Sequence, residues 1–438
     1  MKIRRITASN FKSFRTVDFS PPDLSVIIGA NSSGKSNLGQ VFRFTRDIAV
    51  HGLENAIALQ GGWEFLKYRG ASNDKPLSID IEIRTENATP YSSYFPIPSI
   101  ERGKEKHVYR EIYISCAKYH MAINSTGRKT TRIIEDSLEL TAKIERARYS
   151  KDELPEGRIV EEQEWEGKLT ISKNAGKVKT SLNPPTDKLP SFGQPPARLL
   201  DRQALLLEIP AFLMFQFSIP FIFNYIRSME DIRIFDFDPR IARKGASVTG
   251  RTELEEDGSN LSIVLRRIMN DKKKKERLTS LVSNVLPFVS DVSVERLADK
   301  SFILQLREQG TGFSFPATFI SDGTMNITAL IVALFLERER ATALTILEEP
   351  ERNVHPQLIG KIVDMIKIAS EQSQLLITTH SPEVIKHVDV QSVFLVHRDR
   401  DGSSVLSQIS HSEQVMRMLQ EEIGVDELFV RSLLEQVL

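Results

Sequence analysis

Gly29-Ala30-Asn31-Ser32-Ser33-Gly34-Lys35-Ser36-Asn37 is the first stretch of the chain whose residue types and spacing could do chemistry. Gly29 to Ser36 follows the pattern G-x-x-x-x-G-K-[ST], which suits a nucleotide triphosphate. Backbone N–H groups of such a loop and of the helix after it cradle phosphate oxygens, Lys35 reaches the terminal phosphates, and the Ser36 hydroxyl ligates Mg²⁺. The candidate nucleotide contacts are therefore Gly29, Asn31, Gly34, Lys35, Ser36 and Asn37. The plainer alternative is a chance glycine turn, and the flanks count against it. Leu24 to Ile28 is an apolar run of strand length, while Leu38, Val41, Phe42, Thr45 and Ile48 fall at helical spacing.

A triphosphate loop does not by itself separate a small-molecule kinase, a GTPase and an ATPase engine, and three stretches near the other end bear on that choice. Ala343 to Glu351, "ALTILEEPE", reads as a short buried strand ending in acids. Glu348 could face the Mg²⁺ shell and Glu349 could reach the attacking water. Phe319 to Asn326, "FISDGTMN", precedes a helix apolar on nearly all sides, and Ser321 and Gly323 at its N-terminus could form an anion site. "QLLITTHSPEVI" is an apolar strand ending in His380, which can donate a hydrogen bond to a phosphate oxygen. Singly, each has another explanation: Ser321 could be a helix N-cap, paired acids at a strand end are often surface residues, and a lone histidine is often structural.

The elements that must position these residues divide the chain. Residues 2 to 28 read as two short strands and a third leading into the loop, with Phe11, Phe14 and Phe19 as anchors. From Ser78 the period becomes two, in "SIDIEIR", "REIYISC", "LELTAKIER" and "KLTISKNAGKVKTSL", which predicts an antiparallel meander with one wet face and a turn near residues 174–176. The proline-rich stretch 183–198 reads as a linker to a helical block. In that block Leu261, Val264, Leu265 and Ile268 share a helix face, and Lys272 to Lys275 read as a solvated helix end. "SFILQLRE" returns to strand alternation, and from Ser321 onward helix and strand alternate.

Lysines and arginines number 58, as do aspartates and glutamates, so no net field steers the protein to a polyanion. The single cysteine, Cys116, excludes an intrachain disulfide framework and a cysteine zinc cluster and fits a reducing compartment. No secretion signal is legible at the N-terminus, and a cytoplasmic protein is expected. Residues 205–226 approach a membrane span in length, but Glu208, Gln216, Pro210 and Pro220 make a buried helix or helix pair the preferred reading. No membrane partner is expected.

In combination these motifs resemble the ABC-type ATPase heads of the SMC, RecF and OLD-like superfamily, over about residues 1–70 and 301–400. "ITASNFKSFRTVDFS" is similar to that family's opening, "GANSSGKSN" to its phosphate loop, "ISDGTMN" to its signature motif, "TILEEPERNVHP" to its acidic strand and D-loop, and "LLITTHSPEVI" to its switch-histidine strand. "LEEDGSNLSIVL" resembles the middle region of OLD-like ATPases. Two positions depart from the transporter pattern: Asp322 stands where a glycine is usual and Glu348 where an aspartate is usual. Both variants resemble the OLD-like branch.

The resemblance implies an α/β P-loop NTPase fold, an ABC-type ATPase head with an antiparallel β meander and an inserted, mainly helical block. The expected divisions are 1–90 and 291–438 for the two parts of the head, 91–182 for the meander, and 183–290 for linker and helical block. ATP and Mg²⁺ are the implied ligands, with Glu349 and His380 catalytic and Ser36, Glu348 and the candidate Gln60 on the metal side. Two heads would pair head to tail, Ser321 and Gly323 of one closing over the phosphates held by Lys35 of the other, or build a higher oligomer. The implied output is a DNA-related process, antiphage defence or repair, with DNA and a nuclease or effector protein as candidate partners. After His397 too few residues remain for a nuclease domain, so a nuclease would be a separate protein. An ATP-locked scaffold with little turnover is the alternative. A transporter motor is disfavoured by the signature sequence, and a small-molecule kinase would not need that motif.

Overall fold

Apolar residues at the start of the chain alternate with polar ones through strands β1 (Lys2–Phe11) and β2 (Phe14–Phe19), and a bulge corrects the alternation where it fails. Ile3 lies opposite Ile83 and Ile6 opposite Ile81, so three residues of β1 span two of its partner, and Ile3 and Ile6 share the buried face despite their odd spacing. In the computed structural model, residues 1–84, 91–96, 108–125, 131–149, 158–174, 177–186, 204–208, 225, 228–248, 253–337, 342–420, 424–431 and 433–434 are described. The chain folds as two compact units, Met1–Ser20 with Gln40–Asp231 and Pro21–Gly39 with Ile232–Leu438.

In the first unit, β1 and β2 join β4 (Leu77–Arg84), β6 (Val108–Ser125), β7 (Thr131–Tyr149), β8 (Arg158–Asn174) and β9 (Lys177–Asn183) in one antiparallel sheet of order β2-β1-β4-β6-β7-β8-β9, with β5 (Tyr91–Pro96) paired to β6. Strand β4 pairs with β6, so the N-terminal strands and the meander are one continuous sheet. Leu77, Ile79, Ile81 and Ile83 of β4 are buried and the residues between them face outward, as period two requires. Helix α1 (Lys35–His51) starts in the second unit and continues into the first, where Phe42 and Phe44 meet Phe19 and Phe11 at ring distances of 6.5 and 5.9 Å. Short helices α2 (Leu53–Leu59) and α3 (Trp63–Leu66) follow. Cys116 is a half-buried residue of β6 whose thiol bonds to Glu82.

The second unit is built on a sheet of order β10-β14-β15-β3-β16-β17: β10 (Ile232–Phe235), β14 (Leu344–Glu348), β15 (Leu375–Thr378), β3 (Leu24–Ile28), β16 (Val393–Arg398) and β17 (Ser404–Gln408). All neighbours are parallel except the β16–β17 hairpin. All five residues of β3 are buried, as expected of a parallel strand covered on both faces. A small antiparallel sheet of β11 (Val289–Arg296), β12 (Phe302–Glu308) and β13 (Ser314–Pro316) packs with α4 (Pro239–Ala242), α5 (Leu261–Met269), α6 (Lys272–Val285) and α7 (Asp322–Ile331) around one apolar core. Leu261, Val264, Leu265 and Ile268 form the buried face of α5. The lysines from Lys272 open α6, where Asp271 caps the N-terminus by accepting from the amides of Lys273 and Lys274. Helix α8 (Pro356–Ser370) links β14 to β15, α9 (Pro382–Lys386) follows β15, and α10 (Glu413–Gln420) and α11 (Val425–Val430) end the described chain.

The tip expected near 174–176 and most of the linker at 183–198 lie outside the described residues. So does most of the apolar stretch 205–226, of which Leu205, Leu206, Leu207 and Tyr225 are buried. Among the described residues no helix is long and apolar enough to cross a membrane.

Asp136, on β7, is buried and accepts bonds from the Tyr119 hydroxyl at 2.9 Å and the Leu206 amide at 2.8 Å. Burial pushes its carboxyl up from 3.8 to about 7 against those bonds. A carboxyl raised on folding contributes stability that is complete below its unfolded value and is lost as the pH rises through its folded value. Between pH 4 and 7 the wild type should therefore lose melting temperature relative to Asp136→Asn; parallel melting curves across that window would show that Asp136 is not protonated in the fold.

Candidate functional site

Parallel register puts the chemistry-bearing residues at one end of the second unit's sheet. Glu348 of β14 is level with Thr378 of β15, and Thr378 with Ile27 of β3. Glu349, His380 and Gly29 each follow their strand within two residues of that level, the C-terminal edge where open α/β sheets bind ligands.

The loop after β3 has the geometry its glycines permit. Gly29 has φ of +148°, and a Cβ there would stand 2.2 Å from the Val396 carbonyl oxygen; Gly34 has φ of +114°. Ser32 also lies in the left-handed region, at +64°. The buried Lys35 ammonium donates to the carbonyls of Gly29 and Ala30, both at 2.9 Å. Burial lowers its pKa from 10.5 to about 8, with the Glu349 charge opposing. The Ser33 hydroxyl is buried without a hydrogen-bond partner, an orphan that a phosphate oxygen would satisfy. Asn31 and Ser36 are exposed at the mouth of the loop and Asn37 is half-buried in the first turn of α1. These features fit a polyphosphate. Among the described residues no three His, Cys, Asp or Glu side chains gather as a metal site. The Ser36 hydroxyl and the half-buried Glu348 are donors suited to a Mg²⁺ ion whose other ligands come from phosphate and water.

Across the edge, His380 Nε2 is 3.4 Å from Glu349 Oε1. Burial lowers the histidine's pKa, the Lys35 charge adds to that, and Glu349 opposes. A neutral imidazole can still donate to a phosphate oxygen. The other Glu349 oxygen accepts from Arg352 Nε and Nη2, both at 3.1 Å, while Arg352 Nη1 donates to Asp236 at 2.8 Å. Glu349 itself has φ of +46°, a strained setting for a glutamate that persists only when its surroundings hold it.

Helix α7 is one of those surroundings. Its buried Asn326 donates to the carbonyls of Pro350 and Arg352, both at 3.0 Å, fixing the turn that carries Glu349. Gly323 allows the close approach: a Cβ would stand 2.6 Å from the Asn353 carbonyl oxygen. Ser321 is the N-cap of α7, its hydroxyl accepting from the Thr324 amide at 3.2 Å, and Asp322 pairs with Arg243. Behind the turn the Thr379 hydroxyl donates to Glu351, and burial raises that carboxyl's pKa.

The second unit thus brings together the loop, Glu348, Glu349 and His380, and sets Ser321 and Gly323 on the helix that braces the Glu349 turn. Gln60 belongs to the first unit, where its Oε1 is buried without a hydrogen-bond partner. Sequence reasoning missed Asn326, Arg352, Asp236 and the Glu351–Thr379 pair; only Arg352, three residues after Glu349, carried a local signal.

Comparisons with known proteins bear on the same segments. The family described as "AAA ATPase domain" matches residues 1–88. No curated protein matches the chain in sequence. Solved structures that align with it include an SMC head bound to the C-winged helix domain of ScpA, at 14% identity and TM-score 0.49, covering 93% of this chain and 98% of that one. The SMC head of Thermotoga maritima aligns at 12% identity and TM-score 0.42, covering 93% and 99%. An SMC head from Pyrococcus furiosus with an extended coiled coil, bound to the C-terminal domain of ScpA, aligns at 14% and 0.48, covering 96% and 99%.

Replacing Asn326 by alanine leaves two inward-facing carbonyls without a donor. Urea unfolding should show a loss of about 1–3 kcal/mol, and an unchanged midpoint would mean that the amide does not hold the turn. The parallel sheet with its phosphate loop is an α/β P-loop ATPase fold, and since residues 157–386 match over more than half of the 438-residue length, the chain belongs to the family described as "AAA domain, putative AbiEii toxin, Type IV TA system".

Proposed function

We propose that the protein binds ATP with Mg²⁺ and hydrolyses it, and that two heads pair head to tail around two nucleotides. The observation that carries this reading is the convergence of Lys35, Glu349 and His380 at one sheet edge, with Glu349 Oε1 3.4 Å from His380 Nε2 and the Lys35 charge acting on both. Loop amides and Lys35 hold the phosphates, and Ser36 and Glu348, with Gln60 as a further candidate, take the metal side. Mg²⁺, when bound, neutralises charge on the terminal phosphate oxygens. Glu349 accepts a proton from water as the water oxygen bonds to the terminal phosphorus; the bond from that phosphorus to the bridging oxygen breaks, and ADP leaves with the electron pair. His380 donates to a terminal phosphate oxygen, stabilising the charge that develops there.

In the pair, the start of helix α7, with Ser321 and Gly323, closes over the partner's phosphates, so the nucleotide bridges the subunits and hydrolysis releases them. The output we propose is a DNA-related process, antiphage defence or repair, worked through a separate nuclease or effector in the cytoplasm. Support comes from the resemblance of the motifs to OLD-like ATPases and from a family description that names a toxin–antitoxin system. A second reading, an ATP-locked scaffold with little turnover, is favoured by the Arg352 fork that occupies one oxygen of the proposed base. Turnover measured with and without DNA, and with a candidate effector added, separates the two.

Lys35→Ala should abolish ATP binding in a filter or calorimetric assay. Glu349→Gln should still bind ATP but turn it over at least about 10²-fold more slowly and accumulate dimers; turnover at the wild-type rate removes Glu349 from the role of base. Ser321→Arg should bind ATP as a monomer yet fail to pair, and unchanged ATP-dependent dimerisation on a sizing column would sink the head-to-tail arrangement. Because Lys35 loses its charge near pH 8, ATP affinity should fall as the pH is raised through that value, and a flat profile from pH 7 to 9.5 would contradict its role.

A further inference from the structure

A loop that binds a polyanion does so with its amides, and turning a peptide N–H toward the ligand turns its carbonyl away. What holds those outward carbonyls decides whether the loop keeps its binding shape. In the 29–36 loop two carbonyls are held from sequence positions more than three hundred residues distant: that of Ser33, opposite the Gly34 amide, and that of Ser32, whose opposite amide closes the loop's own turn by donating to the Ala30 carbonyl at 3.2 Å. The Ser32 carbonyl accepts from Arg398 Nε at 3.2 Å and Nη2 at 2.8 Å, and the Ser33 carbonyl accepts from Ser404 Oγ at 2.5 Å. Both donors belong to the β16–β17 hairpin. Its β16 backbone also abuts the first loop residue, since the Val396 carbonyl is what forbids a side chain at Gly29.

The hairpin is built to keep Arg398 in place. Arg398 Nη1 donates to the Gly402 carbonyl at 2.8 Å, so all three nitrogens of the planar fork are engaged. The turn beneath it is closed by the Gly402 amide to the Asp399 carbonyl at 2.9 Å and the Asp399 amide to the Ser403 carbonyl at 2.8 Å. Ser32 needs such a hold, because a serine at φ of +64° persists in that conformation only when its surroundings over-determine it.

We propose that the β16–β17 hairpin clamps the phosphate loop in its anion-binding shape, with Arg398 and Ser404 as positioning residues. The proposal rests on the reading of Gly29 to Ser36 as a triphosphate site. The clamp acts on nucleotide affinity and leaves Glu349 and His380 untouched. Arg398 is exposed and outside the apolar core, so the melting temperature measured beside the affinity separates a change in the loop from a loss of the fold.

The test is calorimetric titration of wild type, Arg398→Ala, Ser404→Ala and Lys35→Ala with MgATP, with melting temperature and steady-state turnover measured on the same preparations. Arg398→Ala should weaken ATP binding about tenfold and raise KM in step. Its melting temperature should be unchanged, and its kcat at saturating ATP should fall far less than its affinity. Ser404→Ala should weaken binding in the same direction. If Arg398→Ala and Ser404→Ala bind ATP as tightly as a wild type that Lys35→Ala disables, the clamp is overturned and the triphosphate reading stands. If kcat falls while KM holds, the clamp is likewise overturned. A wild type that binds no ATP, or a Lys35→Ala protein that binds it normally, overturns the triphosphate reading and the clamp with it.

Discussion

The register of three parallel strands is the constraint on which the rest of the candidate site depends. Because β14, β15 and β3 are paired so that Glu348, Thr378 and Ile27 lie level, each strand delivers its candidate residue to the same edge of the sheet. Strand β15 stands between the acidic strand and the phosphate-loop strand, which sets His380 between Glu349 and Lys35 in influence as well as in order. A slip of one residue in any of these pairings would carry Glu349, His380 or the 29–36 loop about 3.3 Å along its strand, out of level with the others. The pairing that sets the register therefore also sets which side chains can meet.

Around that edge, two of the candidate residues sit in backbone conformations that do not hold themselves. Glu349 and Ser32 are both non-glycine residues at positive φ, and each is held by residues remote in sequence. Helix α7 braces the Glu349 turn through Asn326, and the β16–β17 hairpin braces Ser32 through Arg398. Strain at the proposed base and at the phosphate loop is thus supported by rigid elements, the arrangement that preorganised sites require. The same contacts tie the helix that carries Ser321 and Gly323 to the turn that carries Glu349.

Much of this was legible in the sequence where local spacing suffices. The glycine-lysine-serine loop, the strand before it, the helix after it and the buried strand ending in Glu348 are each written within a dozen residues, and their elements form where the spacing places them. What stayed hidden depends on pairing at long range. Asn326 is an ordinary residue on an apolar helix until α7 is packed beside the 350–352 turn, and Asp236 and Arg352 meet across 116 positions. Arg398 and Ser404 look like polar residues of an exposed hairpin. The bulge at Arg4 was hidden for another reason: a one-residue insertion in a strand breaks the period by which strands are recognised. Gln60 remains a proposal because nothing local to it distinguishes a metal-side amide from a buried helix end.

In the proposed reaction the residues gathered at this edge act together on one terminal phosphate. A crystal structure of Glu349→Gln with MgATP should show the phosphates in the 29–36 loop, the terminal phosphate between Lys35 and His380, and the amide at position 349 within hydrogen-bond reach, about 3 Å, of a water aligned for attack. A nucleotide bound elsewhere, or a terminal phosphate in the loop but out of reach of both position 349 and His380, would contradict it.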